Sequence, residues 1–573
     1  EVRILPTHRQ TLDRQVALMK VLIPILIGLL VVGCGQSKKA AEAGAAAEVQ
    51  AAPETKTARP WGNSFVPRSH KPADIIRQVS LVGRTKDERI ALCCLQGLVA
   101  RTRPQLWLER DTNIDSFWLN WHRKRGYIKG FERVKDWKGL FKEYRNAYRG
   151  AVIADTTLYR GQLIALNVAA CEDMIVTTPQ LAQQLGIEVK IDLRGRFATY
   201  TQGMQWVWET YKKKLNPFLC DSRDPDLVSY ATFDMAFQWR GLMFWLTGPD
   251  ESRLPGVNAK EELKLYEKIF SAMGPSPVCI GFPHRKGGFG IGEPQGVQLF
   301  SRFGMALSCN NHLSNTSILS GMPQTEFKRR ALLPTPKLDR SKIYVALVLS
   351  DGDNQILWPD FFRRYFQHAE FGTFPLAFGI GPATREMQPG VIEWYYKNAP
   401  RETEFIADVS GAGYIDPEYF AASLNDKDAV WTGYLEWTKR LMKDMDLKSV
   451  RTVKGDDDVI TRYIRALPEC HSIFADMGRY SGHDGIKQLT YELRGKPVFR
   501  SVTSWRYGKD GFLKEIHEQV GRQRPAFVNG FVHCWTFTMD DLVRIHRNAG
   551  QEFEFVTPSQ LAQLYRGFAQ RNE

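Results

Sequence analysis

From Ile343 onward the chain repeats one pattern: a short run of apolar, largely β-branched or aromatic residues, a polar break, and then a longer stretch with helical periodicity. Successive runs begin near Ile343, Phe374, Glu404, Ser449, Ser472, Pro497, Ala526 and Phe553. Apolar runs separated by helices are the mark of parallel strands with crossover connections, so the pattern predicts a (β/α)7-8 barrel-like domain over residues 331–573. Between 75 and 330, short apolar runs such as "GAVIADTT" and "EDMIVTTPQLAQQLG" alternate with shorter helical stretches. They predict an N-terminal α/β region of two or three small domains. "ALCCLQGLVARTRPQLWLERD" reads as a helix, a proline turn and a strand. "DPDLVSYATFDMAFQWRGLMFWLTGP" reads as a long amphipathic stretch whose aromatics pack in the core. The proline-bearing, basic segment "RALLPTPKLDRSK", 330–342, marks the junction between the two regions.

The first residues have a different character. After Met19-Lys20 an apolar run extends from Val21 to Val32, interrupted by Pro24 and followed by Gly33-Cys34. It is short for a membrane span and fits the hydrophobic stretch of a secretory signal. "VVGC" resembles a bacterial lipobox, in which Cys34 would be acylated. Residues 1–34 are therefore expected to be an upstream extension plus a lipoprotein signal peptide. Residues 35–74 begin as an Ala-rich tether, with little to bury before Trp61. The expected location is outside the cytoplasm, lipid-anchored to a bacterial membrane. The remaining eight cysteines show no CxxC or zinc-type spacing. Net charge is +14, but the basic residues are scattered and no nucleic-acid-binding signature is present, which excludes a nucleic-acid partner.

Candidate chemistry gathers where the predicted strands end: "SDGDN", "GIGPATRE", "VSGAGYIDPE", "KGDDD", "DMGRYSGHDG", "TSWRYG" and "VHCWTF". In a barrel of parallel strands the C-terminal edge carries the active site. Asp351 and Asp353 are two apart, so an extended backbone points both carboxylates to one side. Two carboxylates in one pocket push their pKa values apart, as glycoside hydrolysis requires of its acid and its base or nucleophile. The competing reading is an Asx turn closed by Asn354. Asp408, Tyr414, Asp416, Asp456, His483 and His533 lie at the other strand ends, with Glu293 in the upstream loop "GGFGIGEPQG". Trp505 and Trp535, and also Trp358, are candidate platforms for sugar rings. Asp416 and Asp456 could equally cap helices.

Three segments, "VALVLSDGDN", "PLAFGIGPATREMQPGVIEWYY" and "FIADVSGAGYIDP", resemble the GxGYxYP family, exported bacterial proteins assigned to glycoside hydrolysis. Upstream, "LQGLVARTRPQLWL" and "GEPQGVQLFSRFGMALSCNNHLSNTSILSG" resemble that family's N-terminal region. Gly411, Gly413, Tyr414 and Pro417 match the naming motif, and Asp416 stands in place of its second tyrosine. The resemblance implies small N-terminal α/β domains, a barrel-like C-terminal domain and, loosely, a sugar-processing role.

These observations together lead us to expect a glycosidase acting on a poly- or oligosaccharide without a cofactor. Asp353 is expected as acid and Asp351 as base or nucleophile. Asn354, Asp408, Tyr414, Asp416, Asp456, His483, His533 and Glu293 are expected around the substrate, with Trp505 or Trp535 beneath the sugar. Two alternatives remain open. One is a metal-dependent deacetylase-like hydrolase holding a divalent cation with Asp351, His483 and His533. The other is a glycan-binding surface lipoprotein without catalysis.

Overall fold

Three small parallel sheets precede one large one in the computed structural model, which describes residues 59–571 apart from 286, 329–330, 352–353 and 477–487. In the first sheet, β1 (Ile75–Ser80) lies between β2 (Leu106–Glu109) and β3 (Gly130–Arg133). In the second, β4 (Ala151–Ile153) lies between β5 (Ile175–Thr177) and β6 (Val189–Asp192). The third is ordered β10-β9-β7-β8, from β7 (Leu219–Ser222), β8 (Leu242–Phe244), β9 (Val278–Gly281) and β10 (Ala306–Ser308). Parallel strands cannot be joined by tight hairpins, so a helix follows most of them. The helix Lys86–Ala100 starts at a reciprocal cap between Thr85 and Glu88 and is buried from Ile90 to Ala100, as its nearly unbroken apolar sequence requires.

The expected long amphipathic stretch after Asp224 is not one element. It divides into a turn, Pro225–Tyr230, a short helix, Asp234–Gln238, and strand β8. Arg240, at φ 53°, breaks the helical phase, and Leu242–Phe244 then pairs with Cys220–Ser222 of β7. Pairing within the sheet overrides the local periodicity.

The large sheet contains β11 (Ile343–Ser350), β12 (Leu376–Ile380), β13 (Thr403–Ala407), β14 (Ser449–Arg451), β15 (Ser472–Phe474), β16 (Thr490–Leu493), β17 (Lys496–Phe499), β18 (Ser501–Val502), β19 (Ala526–His533) and β20 (Phe553–Phe555). Parallel pairing runs from β11 through β12, β13, β14 and β15 to β17, and on the other side from β11 through β19 to β18. Only Arg500 separates β17 from β18. β16 is a hairpin partner, antiparallel to β17. The run at Phe553 does not form an eighth full strand. β20 pairs with Ile343–Val345 alone, because β19 flanks β11 along its whole length and β12 takes its far end.

The two faces of these strands sort into different cores. Ile343, Val345, Leu347 and Leu349 join the large cluster shared with the helices. Tyr344, Ala346, Val348, Ala377, Ile406, Phe474, Phe499 and Phe527 form a separate cluster that Leu561, Ala562 and Leu564 of the C-terminal helix, Pro558–Ala569, complete. That helix is fixed by Glu404, whose carboxylate accepts from the Ser559 amide at 2.8 Å and from its hydroxyl. All eight cysteines among the described residues are buried. No described helix is long and apolar enough to cross a membrane, and Val21–Val32 and Cys34 lie outside the described residues.

Candidate active site

Above that second apolar cluster, the same strand faces turn polar. Ser350 ends β11, Asp408 follows β13, Arg451 ends β14, Asp476 follows β15, Ser501 lies in β18 and Asn529 in β19, all of them buried. Asp408 accepts hydrogen bonds through Oδ2 from the Ser350 hydroxyl and from Arg451 Nη1 at 3.4 Å. Burial pushes its carboxyl up to about 6; the Arg451 guanidinium and the Ser350 bond oppose this, and the nearby Asp351 carboxylate adds to it. Arg451 donates to Asn529 Oδ1 at 3.4 Å and lies 5.1 Å from the centre of the Phe531 ring. Burial lowers its pKa, while the carboxylates of Asp408 and Asp476 hold its charge in place. Asn529 in turn donates to Ser501 Oγ at 2.9 Å, and the Ser501 amide donates to Asp476 at 3.4 Å. Gly379 of β12 makes room for this network. A Cβ there would meet Asp408 Oδ2 at 2.0 Å.

One layer further out lies Asp351, half-buried, with φ at 113°. It accepts hydrogen bonds from the Trp535 indole and the Asn354 side chain, and it lies close to His533. Burial raises the Asp351 carboxyl, against the His533 imidazole and the two hydrogen bonds. Burial likewise lowers the His533 pKa, against the Asp351 charge. His533 Nδ1 is 3.1 Å from Thr536 Oγ1. Trp535 packs on Phe361 with ring centres 5.0 Å apart. Trp505, 54% exposed, lies edge-on to Phe531 at 6.1 Å. Asp353 and His483 lie outside the described residues. Asn354 closes a turn, its amide donating to Asp351 O at 3.0 Å and its side-chain oxygen accepting from Ile356 at 3.3 Å.

Other expected residues are spoken for elsewhere. The motif backbone at Tyr414 exchanges two 2.8 Å hydrogen bonds with Leu307 of β10. Gly413 allows this approach, since a Cβ there would crowd Ala306 and the Leu307 carbonyl at 3.1 Å. Tyr414 OH donates to Glu293 at 3.2 Å, so these two residues face each other across the seam between the third sheet and the C-terminal region. Asp416 is buried in an ion pair with Lys454 at 2.8 Å, and Lys454 also holds Glu418 at 2.7 Å. Asp456 is exposed and caps the helix Asp457–Ala466, accepting from Val459 N at 2.9 Å, rather than facing the cluster. Trp358 is completely buried, its carbonyl accepting from Tyr395, and offers no platform. Among the described residues, no group of three His, Cys, Asp or Glu side chains is placed to hold a metal ion.

Arg451, Asp476 and Asn529 are site residues that motif reading passed over. For Arg451 and Asn529 the signal is a charged or amide side chain at an inward strand position, as in "SVR" and "AFVNGFVH", while Asp476 opens the strand-end segment "DMGRYSGHDG".

Three small parallel sheets joined to a large, mostly parallel sheet with a polar, titratable strand-end cluster define a multidomain α/β protein. The chain belongs to the GxGYxYP family. Models of that family's first, second and third N-terminal domains match residues 75–146, 148–215 and 217–321, and its "GxGYxYP putative glycoside hydrolase C-terminal domain" matches residues 341–566. A crystal structure from Bacteroides thetaiotaomicron VPI-5482, described as "a putative hydrolase", superposes with a TM-score of 0.74 at 20% identity, covering 89% of this chain and 98% of that one. A "putative polysaccharide deacetylase" from Mycobacterium smegmatis covers 43% of this chain and 96% of its own at a TM-score of 0.30 and 11% identity, too slight a likeness to carry an argument. No curated protein is significantly similar to the chain.

Proposed function

We propose that the protein hydrolyses a glycosidic bond of a poly- or oligosaccharide at the C-terminal edge of a closed seven-stranded (β/α) barrel. Ring closure is supported by the segment 496–502, which pairs through β17 with β15 and through β18 with β19, and by the separate apolar cluster on one strand face. The observation that carries the chemistry is Asp351, a half-buried strand-end carboxyl that burial makes reluctant to ionise, beside His533 and Trp535. A carboxyl of that kind suits proton donation to a leaving oxygen. Asp351 is thus the acid and Asp353 the base or nucleophile, an exchange of the roles expected from spacing alone. Trp535 and Asn354 hold Asp351, the charge of Asp408 acts on it from the neighbouring network, and Trp505 and Trp535 offer apolar surface to the sugar. The apolar run Val21–Val32 and the "VVGC" sequence support export and a lipid anchor at Cys34.

A second reading is favoured by the Asp351–His533 neighbourhood, which could supply two ligands to a divalent cation in a deacetylase-like hydrolase. One experiment separates the two. The chain from residue 35 is incubated with a panel of plain and acetylated polysaccharides, with and without EDTA, beside Asp351→Asn. Reducing ends that vanish in the variant and ignore EDTA support the glycosidase. Acetate release abolished by EDTA supports the metal site. Reducing ends unchanged in Asp351→Asn overturn the proposal.

A further inference from the structure

A cavity of about 480 Å³ lies well away from the strand-end cluster, lined by Arg59, Asn63, Phe218, Ser276 and Trp437 among others. Phe218 immediately precedes β7 and Ser276 lies just before β9, so the cavity sits at the N-terminal edge of the third sheet. The opposite edge of that sheet carries Cys309, which pairs with Asn354 of the candidate active site. The cavity is therefore a separate place in the fold.

Its lining is charged and aromatic. The Arg59 guanidinium lies 5.2 Å from the Trp437 ring centre, 5.3 Å from that of Phe65 and 6.0 Å from that of Phe218. It donates only to neutral carbonyls, those of Phe65 and, at 2.6 Å, Ser276. Among the described residues no carboxylate forms an ion pair with it. Glu386 is already held by the amides of Phe65 and Val66 and by Arg440 Nη2 at 3.1 Å. Burial lowers the Arg59 pKa to about 10, which leaves it charged at neutral pH. The Glu386 carboxylate opposes that burial cost from a distance and Arg440 adds to it, so no ion pair compensates the Arg59 charge directly and a ligand anion would stabilise it. A second guanidinium, Arg440, stands 3.9 Å from the Trp437 ring centre and donates to Asn63 Oδ1 at 3.0 Å. The walls thus combine the Arg59 cation, the Asn63 amide and the aromatic surface of Phe218 and Trp437, with Arg440 behind Asn63 and Trp437 as a second cation.

We propose that this cavity binds a carboxylated sugar unit of an acidic glycan, with the carboxylate on Arg59, the ring against Trp437 and Phe218, and hydroxyls on Asn63 and the Ser276 carbonyl. The volume accommodates a ring of that size, and the net charge of +14 favours an acidic polymer. The proposal rests on the reading of the protein as glycan-acting and adds the class of glycan.

The test is calorimetric titration of the chain from residue 35 with digalacturonate, a neutral disaccharide and acetate. Wild type is compared with Asn63→Asp, Trp437→Leu and Asp351→Asn. Asn63 is exposed, so Asn63→Asp places a carboxylate at the cavity without disturbing the core, and a thermal unfolding curve checks its fold. Digalacturonate is expected to bind wild type and Asp351→Asn alike, and at least ten-fold more weakly to the two cavity variants. Equal binding of the neutral disaccharide, equal binding of acetate alone, no binding, or binding unchanged in both cavity variants overturns the proposal. Loss of binding in Asp351→Asn also overturns it, by moving the ligand to the hydrolytic site. Absence of hydrolysis on every polymer would sink the glycosidase reading and leave these binding results standing.

Discussion

Gly379 and Asp408 occupy one space: a β-carbon on Gly379 would lie 2.0 Å from Asp408 Oδ2 and 2.8 Å from its Cβ. The buried carboxyl can sit under the strand ends only because the neighbouring strand offers no side chain. Gly379→Ala should therefore displace Asp408 from Ser350 and Arg451. The expected loss of stability is about 1–3 kcal/mol, the range for overpacking a tight core. Denaturant unfolding measures it, and a stability equal to wild type would contradict the packing.

Asp408 also makes stability depend on pH. Its folded pKa is raised to about 6 from 3.8, so between these values the folded chain keeps a proton that the unfolded chain has released. Stability from this group is fully present below about pH 4, falls as pH rises and is lost above about pH 6. The raised value corresponds to about 3 kcal/mol. Asp408→Asn cannot ionise and should lack this decline. From pH 4 to 7 the wild type should thus lose stability relative to the variant, and parallel curves would rule the assignment out.

Asp351→Asn should lower glycan turnover by roughly 10²–10⁴-fold, the range for losing a general acid. Trp535→Phe removes a donor that favours the ionised Asp351. The acid should then hold its proton to higher pH, and the alkaline limb of the pH–rate profile should move up. An upward move of the acid limb instead would assign Asp351 the role of base.

Asp456→Ala should cost about 0.5–2 kcal/mol through loss of the cap on Val459 and leave turnover unchanged. Any selective loss of activity at full stability would return Asp456 to the substrate.

Lys454→Met strands the buried Asp416 carboxylate. A loss of about 3–5 kcal/mol is expected, as when one partner of a buried ion pair is removed. Chemical denaturation tests this, with Lys454→Arg as the charge-preserving control.

The parallel strands were legible in the sequence because strands buried on both faces must be apolar throughout, as "IYVALVLS" and "AFVNGFVH" are. The hairpin of β16 on β17 was passed over, although Arg494 and Gly495, both at positive φ, are its turn. At the site, Asp351, Asp408, His533 and Trp535 were singled out by their place at strand ends. Arg451 and Asn529 were not, since one polar residue within an apolar run has no periodicity to betray it. Pairings such as Tyr414 with Glu293, 121 residues apart, come from the packing of one region on another and leave no local trace. Helix caps at Asp416 and Asp456 were weighed against site roles, whereas the ion pair of Asp416 with Lys454 was not foreseen, and only coordinates could divide those residues from Asp351.

The pairing of β11 with β19 bears on how the chain matures. The first strand of the large sheet lies along its whole length against nearly the last, and the C-terminal helix completes the apolar cluster beneath them. During synthesis, residues 343–350 must wait about 180 residues for their neighbour, with apolar surface exposed in the meantime. The large sheet can therefore settle only once Ala526–His533 has joined Ile343–Ser350, and a chain truncated before Ala526 would leave an apolar strand edge bare rather than keep a partly functional domain.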